Sequence, residues 1–461
     1  MHPETPEWPY ERLPLYFRRG ESVLTITRPP EDAEIISLGL DDTDSKTLGM
    51  CTTYLSVLII QALGERGLEF GFWDFPNLVR LNPSVPNKTR GNGALCLRMF
   101  ADEGSCRQVM DVAKEVVATH AVLEDDMTHP GIALMRGRDV PPRVRAFYHR
   151  CLHRIVTKDD AIELAESEGI ATASFKEGLG IIGATAALGV DFTRDQTFET
   201  IAYRDPSQKG RSRQIDESLV LRVDQEVKDT FYNYDYLNKR ICIVPASPCP
   251  VHFGVRAESP LGSQTAYMIL DAARAPSAVT FRTNQHTDAH IETVEELASL
   301  IPRSGVVVGG TVKENPRTIK GGHVILSIAD ATGEIDCAAY EPTKQFRRIV
   351  RQLRAGDVIR AYGSVRPAGP SHGPTINLEK LQVISLVKGT KANPRCPRCG
   401  STLTSMGTGA GYRCRKSGCG FKDSMMEKVD LPLERSIAMG FYEPPQVAWR
   451  HLYKPLQRGV A

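Results

Sequence analysis

Residues 34–67 read EIISLGLDDTDSKTLGMCTTYLSVLIIQALGERG. The first seven residues are an apolar run suited to a buried strand. Three aspartates follow within four positions: Asp41, Asp42 and Asp44. From Met50 to Arg66 the period changes to that of a helix, with Leu55, Leu58, Ile59 and Leu63 on one face and Gly67 as a stop. A buried strand, an acidic turn and a helix in succession mark an α/β layer, and ligand sites in such layers lie at the carboxyl ends of strands. The pattern continues outward. Residues 68–82 read as extended, 86–93 (PNKTRGNG) as a glycine-containing loop, and ALCLRMF as a strand. Residues 105–120 form a helical pattern with Val109, Val112, Val116 and Val117 inward. Beyond them lie a second helical pattern at 158–168, the glycine-rich run GLGIIGATAALG at 178–189, strand patterns at 198–203 and 240–244, and a helix from Thr265. ASPCPVHFGVRAESPLG at 246–262 reads as turn-rich.

At 461 residues the chain suits about three domains, at roughly 150 residues each. With 41% hydrophobic and 24% charged residues it has an ordinary globular composition, which excludes a wholly disordered or fibrous chain. No run of about 18 uncharged apolar residues occurs. The first residues lack the basic start and apolar stretch of a signal peptide, and a cytoplasmic protein is expected. Residues 1–33 read as an extension without sustained period.

The net charge is +2, but residues 341–461 carry 21 Lys and Arg against 8 Asp and Glu, leaving 36 against 47 in residues 1–340. A basic C-terminal quarter on a near-neutral chain suits a polyanion such as nucleic acid, or simply a solvated face. Residues 304–387 hold five β-rich runs (305–313, 322–329, 334–340, 357–365 and 375–386), with a helix over 343–353 between the third and fourth. That is the order of an OB-fold barrel.

Four of the eleven cysteines cluster as Cys396-Pro-Arg-Cys399 and Cys414-x4-Cys419. Two paired knuckles with adjacent glycines suit a tetrahedral, structural Zn²⁺. Arg395, Arg398, Arg413, Arg415 and Lys416 surround them, in reach of phosphate. Most of the other seven read as small buried residues. The Asp41-Asp42-Thr43-Asp44-Ser45 turn offers carboxylates for Mg²⁺, or alternatively a solvated helix-capping turn. Lys88-Thr89-Arg90-Gly91-Asn92-Gly93 lacks the Walker A order, yet two cations beside two glycines can hold a polyphosphate. Arg256 and Glu258 in the turn-rich segment suit a small charged substrate or a surface ion pair. No Ser-His-Asp, HExxH or GxGxxG-after-strand arrangement stands out, so residue patterns alone reach a nucleotide site, an oligonucleotide barrel and a zinc ribbon without reaching a reaction.

LGLDDTDS, GMCTTYL, PNLVRLNPSVPNKTRGNGA, THPGIAL (128–134), GLGIIGATAALG, PVHFGVRAES, FRTNQHTDAHI (281–291), the zinc ribbon and EPPQ…RHLYKPL occur in that order. Over about residues 35–457 the chain resembles the archaeal isoleucine-tRNA 2-agmatinylcytidine synthetase family. The resemblance implies a multidomain α+β protein: an extension over 1–33, an ATP-binding kinase-like α/β domain over 34–155, and a ferredoxin-like domain with the agmatine site over 156–295. An OB-fold over 296–388, a zinc ribbon over 389–430 and a basic tail over 431–461 complete it. The implied activity is an ATP-dependent ligation forming a C–N bond: agmatine replaces the 2-oxo group of the wobble cytidine in the CAU anticodon of a minor isoleucine tRNA, which then reads AUA. The partners are that tRNA and agmatine, with no membrane and no DNA. The cofactors are ATP, Mg²⁺ and a structural Zn²⁺. Carried onto this chain, Asp41, Asp42, Asp44 and Thr52 are expected to be catalytic, Thr52 as the autophosphorylated threonine of the family and Asp41 and Asp42 as Mg²⁺ ligands. Lys88, Thr89, Arg90, Gly91, Asn92 and Gly93 are expected on the phosphates, and Arg256, Glu258 and Ser259 on agmatine. The alternative is a non-catalytic single-strand-binding protein built on the OB-fold and zinc ribbon, which leaves DDTDS and KTRGNG without a role.

Overall fold

The structure is a computed structural model that describes residues 9–208, 210–270, 275–370 and 372–459. In the strand Glu34–Asp41 the side chains alternate between two layers. Ile36, Leu38 and Leu40 meet the helices Thr52–Glu65 and Glu103–His120 in one core. The opposite face receives the helix Gly180–Leu188, backed by the helices Pro142–His153 and Lys158–Ser167. The glycine-rich run makes this second layer possible. A Cβ on Gly39 would lie 2.1 Å from the Ala184 carbonyl oxygen, and one on Gly131 would lie 2.0 Å from the Ile181 nitrogen. Backbone therefore lies directly on backbone, closer than any side chain permits. Buried Arg98 ties the far end of this helix to the sheet, donating to Leu188 O (2.9 Å), Ser37 Oγ (2.8 Å) and Asn77 Oδ1 (3.0 Å).

One sheet runs through both N-terminal regions. Its strands lie in the order Thr230–Phe231, Val251–Ala257, Thr197–Tyr203, Ser277–Thr283, Asn77–Arg80, Gly93–Ala101, Glu34–Asp41, Gly131–Arg136 and Ala171–Ser174. The seam is the parallel pairing of Arg282 with Asn77 and of Thr283 with Leu78. Three expectations change here. Residues 1–33 contain a hairpin, Pro14–Arg18 with Glu21–Thr25, whose first strand pairs with Ser277–Thr283 (Tyr16 opposite Val279). The turn-rich stretch contains a strand, Val251–Ala257, buried in the sheet; Gly254 lies in it where a Cβ would strike the Glu199 carboxylate at 2.4 Å. The helix expected from Thr265 begins at Pro260, because Ser259 caps it by accepting from Gly262 N at 3.0 Å and proline suits the first turn.

Residues 305–385 close into a barrel. Gly305–Val312 pairs with Val358–Arg366 on one side and with Val324–Ala329 on the other, and Thr375–Ser385 pairs in parallel with Glu334–Ala339. The expected helix shrinks to Phe346–Val350. Three short strands, Thr404–Ser405, Tyr412–Arg413 and Lys422–Asp423, carry the cysteine cluster. The chain then returns: Gly440–Tyr442 pairs with the barrel, and residues 451–454 run beside 286–288 through His286 N to His451 O (2.7 Å) and Asp288 N to Leu452 O (2.8 Å). Arg458 holds the end, donating to Glu258 (2.6 Å) and Asp195 (3.0 Å). Among the described residues no helix is long and apolar enough to cross a membrane.

Candidate active site and zinc centre

The strand Glu34–Asp41 delivers Asp41 to the face that carries Gly39, and Gly183 leaves the space for its carboxylate: a Cβ there would lie 1.8 Å from Asp41 Oδ2. Asp42 turns the chain with φ of +59°, a region aspartate tolerates better than most residues. It accepts from His129 N (2.9 Å) and Thr89 Oγ1 (3.1 Å). Enclosure by protein raises the Asp41 pKa to about 7, and the neighbouring Asp42 carboxylate adds to the rise. Burial also raises Asp42, against the bonds from His129 and Thr89. Two adjacent carboxylates, both held in a disfavoured charged state, suit a hard divalent cation bound through oxygen.

The other expected residues take distinct places around one cavity of about 660 Å³. Asp44 does not face a ligand with a free carboxylate; it forms an ion pair with Arg90, which also donates to Ser247 Oγ (2.9 Å) and Met50 O (3.0 Å). Arg90 thus braces the acidic turn against the glycine loop. Thr52 opens its helix and accepts from Thr43 Oγ1 at 3.1 Å. Lys88 donates to Pro83 O. Asn92 adopts φ of +49° and donates to Asn82 O (2.7 Å), which holds the loop between Gly91 and Gly93 in shape. Asp41, Asp42, Asp44, Thr52 and the whole of 88–93 line the cavity, together with Arg256. Glu258 and Ser259 do not. Ser259 caps its helix and donates to Asp229 Oδ2 (2.5 Å), and Glu258 is taken by Arg458. Placed past the end of the strand, neither side chain enters the space that Arg256 lines.

Residues that the sequence reading passed over complete the wall. Arg80 lies beneath the glycine loop, where a Cβ on Gly93 would come within 2.6 Å of its Nη1, and burial lowers its pKa to about 10. Glu199 forms a buried pair with Arg256 at 2.8 Å. Tyr232, Cys51, Cys249 and His451 also line the cavity. Arg80 stood in view beside the loop. His451 belongs to the RHLYKPL motif, but nothing local ties it to the cavity, which it reaches from hundreds of residues away along the chain. A second cleft, of about 880 Å³, opens between the cavity and the barrel and is lined by Lys88, Arg303, Arg366, Arg450, Trp449 and Tyr232, among others. The rings of Tyr232 and Trp449 stack there at 5.7 Å and 20°. Cations with aromatic faces are what single-stranded nucleic acid requires.

The four C-terminal sulfurs converge within 4.8 Å of one another, with Cys396 to Cys419 at 3.6 Å and Cys399 to Cys414 at 3.5 Å. Zinc–sulfur bonds of about 2.3 Å place tetrahedral sulfurs about 3.8 Å apart, close to these two separations, so the donor set fits Zn²⁺.

Comparison with known proteins matches residues 37–177 to the TiaS TCKD domain, 178–290 to the TiaS FLD domain, 306–384 to an OB-fold nucleic acid binding domain and 393–437 to the TiaS C-terminal zinc ribbon domain. The isoleucine-tRNA 2-agmatinylcytidine synthetase TiaS of Archaeoglobus fulgidus is 39% identical over 424 residues, covering 91% of this chain and 97% of that protein. The chain belongs to the TiaS family. The TiaS of Methanocaldococcus jannaschii is 38% identical over 428 residues, covering 91% of this chain and 98% of that protein. Among solved structures, a complex of TiaS with its isoleucine tRNA and ATP superposes with a TM-score of 0.82 at 37% identity, over 93% of this chain and 98% of that one. A complex of TiaS with the same tRNA, AMPCPP and agmatine gives 0.79 at 35% identity, with the same coverage of both chains. The family match covers the acidic turn, the glycine loop and the ribbon together, so TiaS membership rests on the whole assembly.

Proposed function

We propose that this protein forms 2-agmatinylcytidine at the wobble position of the minor isoleucine tRNA, consuming ATP and agmatine. The observation that carries the proposal is one cavity in which an acidic turn and a basic glycine loop meet Arg256 of the next lobe, beside a cationic cleft that leads to the OB-fold. It is joined to 39% identity with a named TiaS across nearly the whole chain. The binding-protein alternative has no use for the enclosed carboxylates.

The cytosine 2-oxo group is a poor leaving group. Phosphorylation at that oxygen makes a good one, and the amine of agmatine then bonds to the ring carbon as the carbon–oxygen bond breaks and phosphate departs. Phosphoryl transfer depends mainly on positioning and charge neutralisation. Arg80, Lys88 and the backbone at 91–93 would hold the phosphates. Asp41 and Asp42 fit Mg²⁺, which would neutralise charge on the transferring group; Asp41, with its pKa near 7, can also hold a proton at its carboxyl. Asp44 and Arg90 keep the two loops in register. Thr52, which lines the cavity, would receive a phosphoryl group. Arg256, paired with Glu199, marks the side on which agmatine would lie, while Glu258 and Ser259 support the tail and the helix. Zn²⁺ in the ribbon would fix a basic surface for the RNA. The enzyme would be an ATP-dependent ligase. Nucleoside mass analysis of the minor isoleucine tRNA incubated with protein, ATP, Mg²⁺ and agmatine tests this: an ATP-dependent adduct equal to agmatine minus water is expected, and tight tRNA binding without an adduct would refute it.

A further inference from the structure

Among the described residues His451 is the one imidazole that lines both the catalytic cavity and the cleft beside the barrel. Its ring lies against the glycine loop, where a Cβ on Gly91 would come within 2.7 Å of Cδ2 and 2.9 Å of Nε2. The residue is exposed, and it lines the space shared by the cavity and the cleft.

Its tautomer is set by a relay. The Glu199 carboxylate can only accept, so it takes the amide nitrogen of Gln285. Gln285 Oε1 is thereby turned toward Arg80 Nε (3.3 Å) and His451 Nδ1 (3.0 Å). An amide oxygen also only accepts, so Nδ1 carries the hydrogen and Nε2 presents a lone pair. Among the described residues no protein donor reaches Nε2. The Arg80 guanidinium first, then Arg256, His286 and Arg90, push the imidazole pKa well below its ordinary value, which favours the neutral ring that the Gln285 contact already orients with Nε2 as acceptor.

A single acceptor among three guanidiniums is of no use to phosphates, which the arginines themselves serve. It requires a donor, and the neutral amino group of a base supplies one without bringing a further positive charge against Arg80. We propose that His451 reads the wobble base, its Nε2 accepting a hydrogen bond from the exocyclic amino group of cytosine as the base passes from the cleft into the cavity. Uracil presents an oxygen at that place, and two lone pairs then face each other. The proposal rests on the reading of cytidine as the substrate and adds the residue that selects it.

The test is a functional-group cycle on the full-length protein. Isoleucine tRNA is prepared with cytidine, uridine or pyrimidin-2-one ribonucleoside (cytidine without its amino group) at the wobble position. kcat/KM is measured for the wild type, His451→Gln and His451→Phe, with ATP affinity as the check on an intact cavity. Removing the amino group is expected to lower the wild-type value roughly tenfold, the size of one hydrogen bond lost with its partner left unpaired. His451→Phe should show that loss already on cytidine and no further loss on pyrimidin-2-one. His451→Gln, which keeps an acceptor, should recover part of it. Equal sensitivity to the amino group in wild type and His451→Phe overturns the proposal, as does a wild type indifferent to that group, a result that needs no variant to fold. A wild type that modifies no wobble cytidine overturns the functional reading first and this one with it.

Discussion

Gly183→Ala is a one-carbon change predicted to disable the site while leaving the fold. The added methyl would stand 1.8 Å from Asp41 Oδ2, 2.6 Å from Cγ and 2.9 Å from Cβ. Ordinary contact begins near 3.4 Å, so carboxylate and helix must separate by about 1.5 Å, against the close packing of protein interiors. Overpacking of this kind costs roughly 1–3 kcal/mol, while alanine in a helix recovers up to about 1 kcal/mol over glycine. The net effect on stability is therefore about 0–3 kcal/mol, a modest shift in Tm for a chain of this size. Catalysis is far more sensitive: a misplacement of about 1 Å can cost about 100-fold, or roughly 2.7 kcal/mol of transition-state stabilisation. The assay is tRNA turnover under ATP and agmatine saturation, with thermal unfolding in parallel. Gly64→Ala is the control, since that helical glycine has nothing within 4 Å of the added carbon and lies away from the cavity. Turnover by Gly183→Ala within about threefold of wild type, against the roughly 100-fold loss expected, would refute the placement of Asp41 in the chemistry.

Asp41→Asn should lower turnover at least about 100-fold. Because the folded Asp41 pKa lies near 7, against 3.8 for the ordinary group, the folded chain holds more protons across that window and wild-type stability falls as pH rises through it. In the absence of divalent cation, Asp41→Asn should therefore melt above the wild type at about pH 8 and no higher at about pH 4. Arg435→Ala leaves the fully buried Asp357 without its ion pair (2.5 and 2.9 Å). It should cost about 3–5 kcal/mol, seen as an early loss of the barrel in denaturant titration. Cys396→Ser should abolish stoichiometric zinc and weaken tRNA binding, while ATP affinity, which depends on a separate cavity, should stay within about threefold.

The barrel and the ribbon were legible because each is written locally. The five runs between 305 and 386 each contain one barrel strand, since period-2 burial within a segment needs no knowledge of its neighbours. Asp41, Asp42 and the 88–93 loop were legible for the same reason: unusual residue types sit together at strand ends. What failed was non-local. Val251–Ala257 hid among prolines and a glycine because its strand character comes from two flanking strands, and Glu199 supplies the reason for Gly254. Glu258 and Ser259 are expected on agmatine from the resemblance and from its need for acceptors, whereas a strand end sends consecutive side chains to different places. His451 stood in the RHLYKPL motif without a role attached and Arg458 lay just beyond it, because their side-chain partners lie 166 to 263 positions earlier.

The parallel seam between Asn77–Arg80 and Ser277–Thr283 sets a timetable for synthesis. The first of these strands leaves the ribosome roughly 200 residues before its partner exists, which at about 5–20 residues per second means about 10–40 s of waiting. During that interval the nascent N-terminal lobe carries an open sheet edge, the kind of surface that recruits other chains. A fragment ending near residue 177 would keep that edge permanently, and co-expressing residues 178–461 in trans should rescue its solubility.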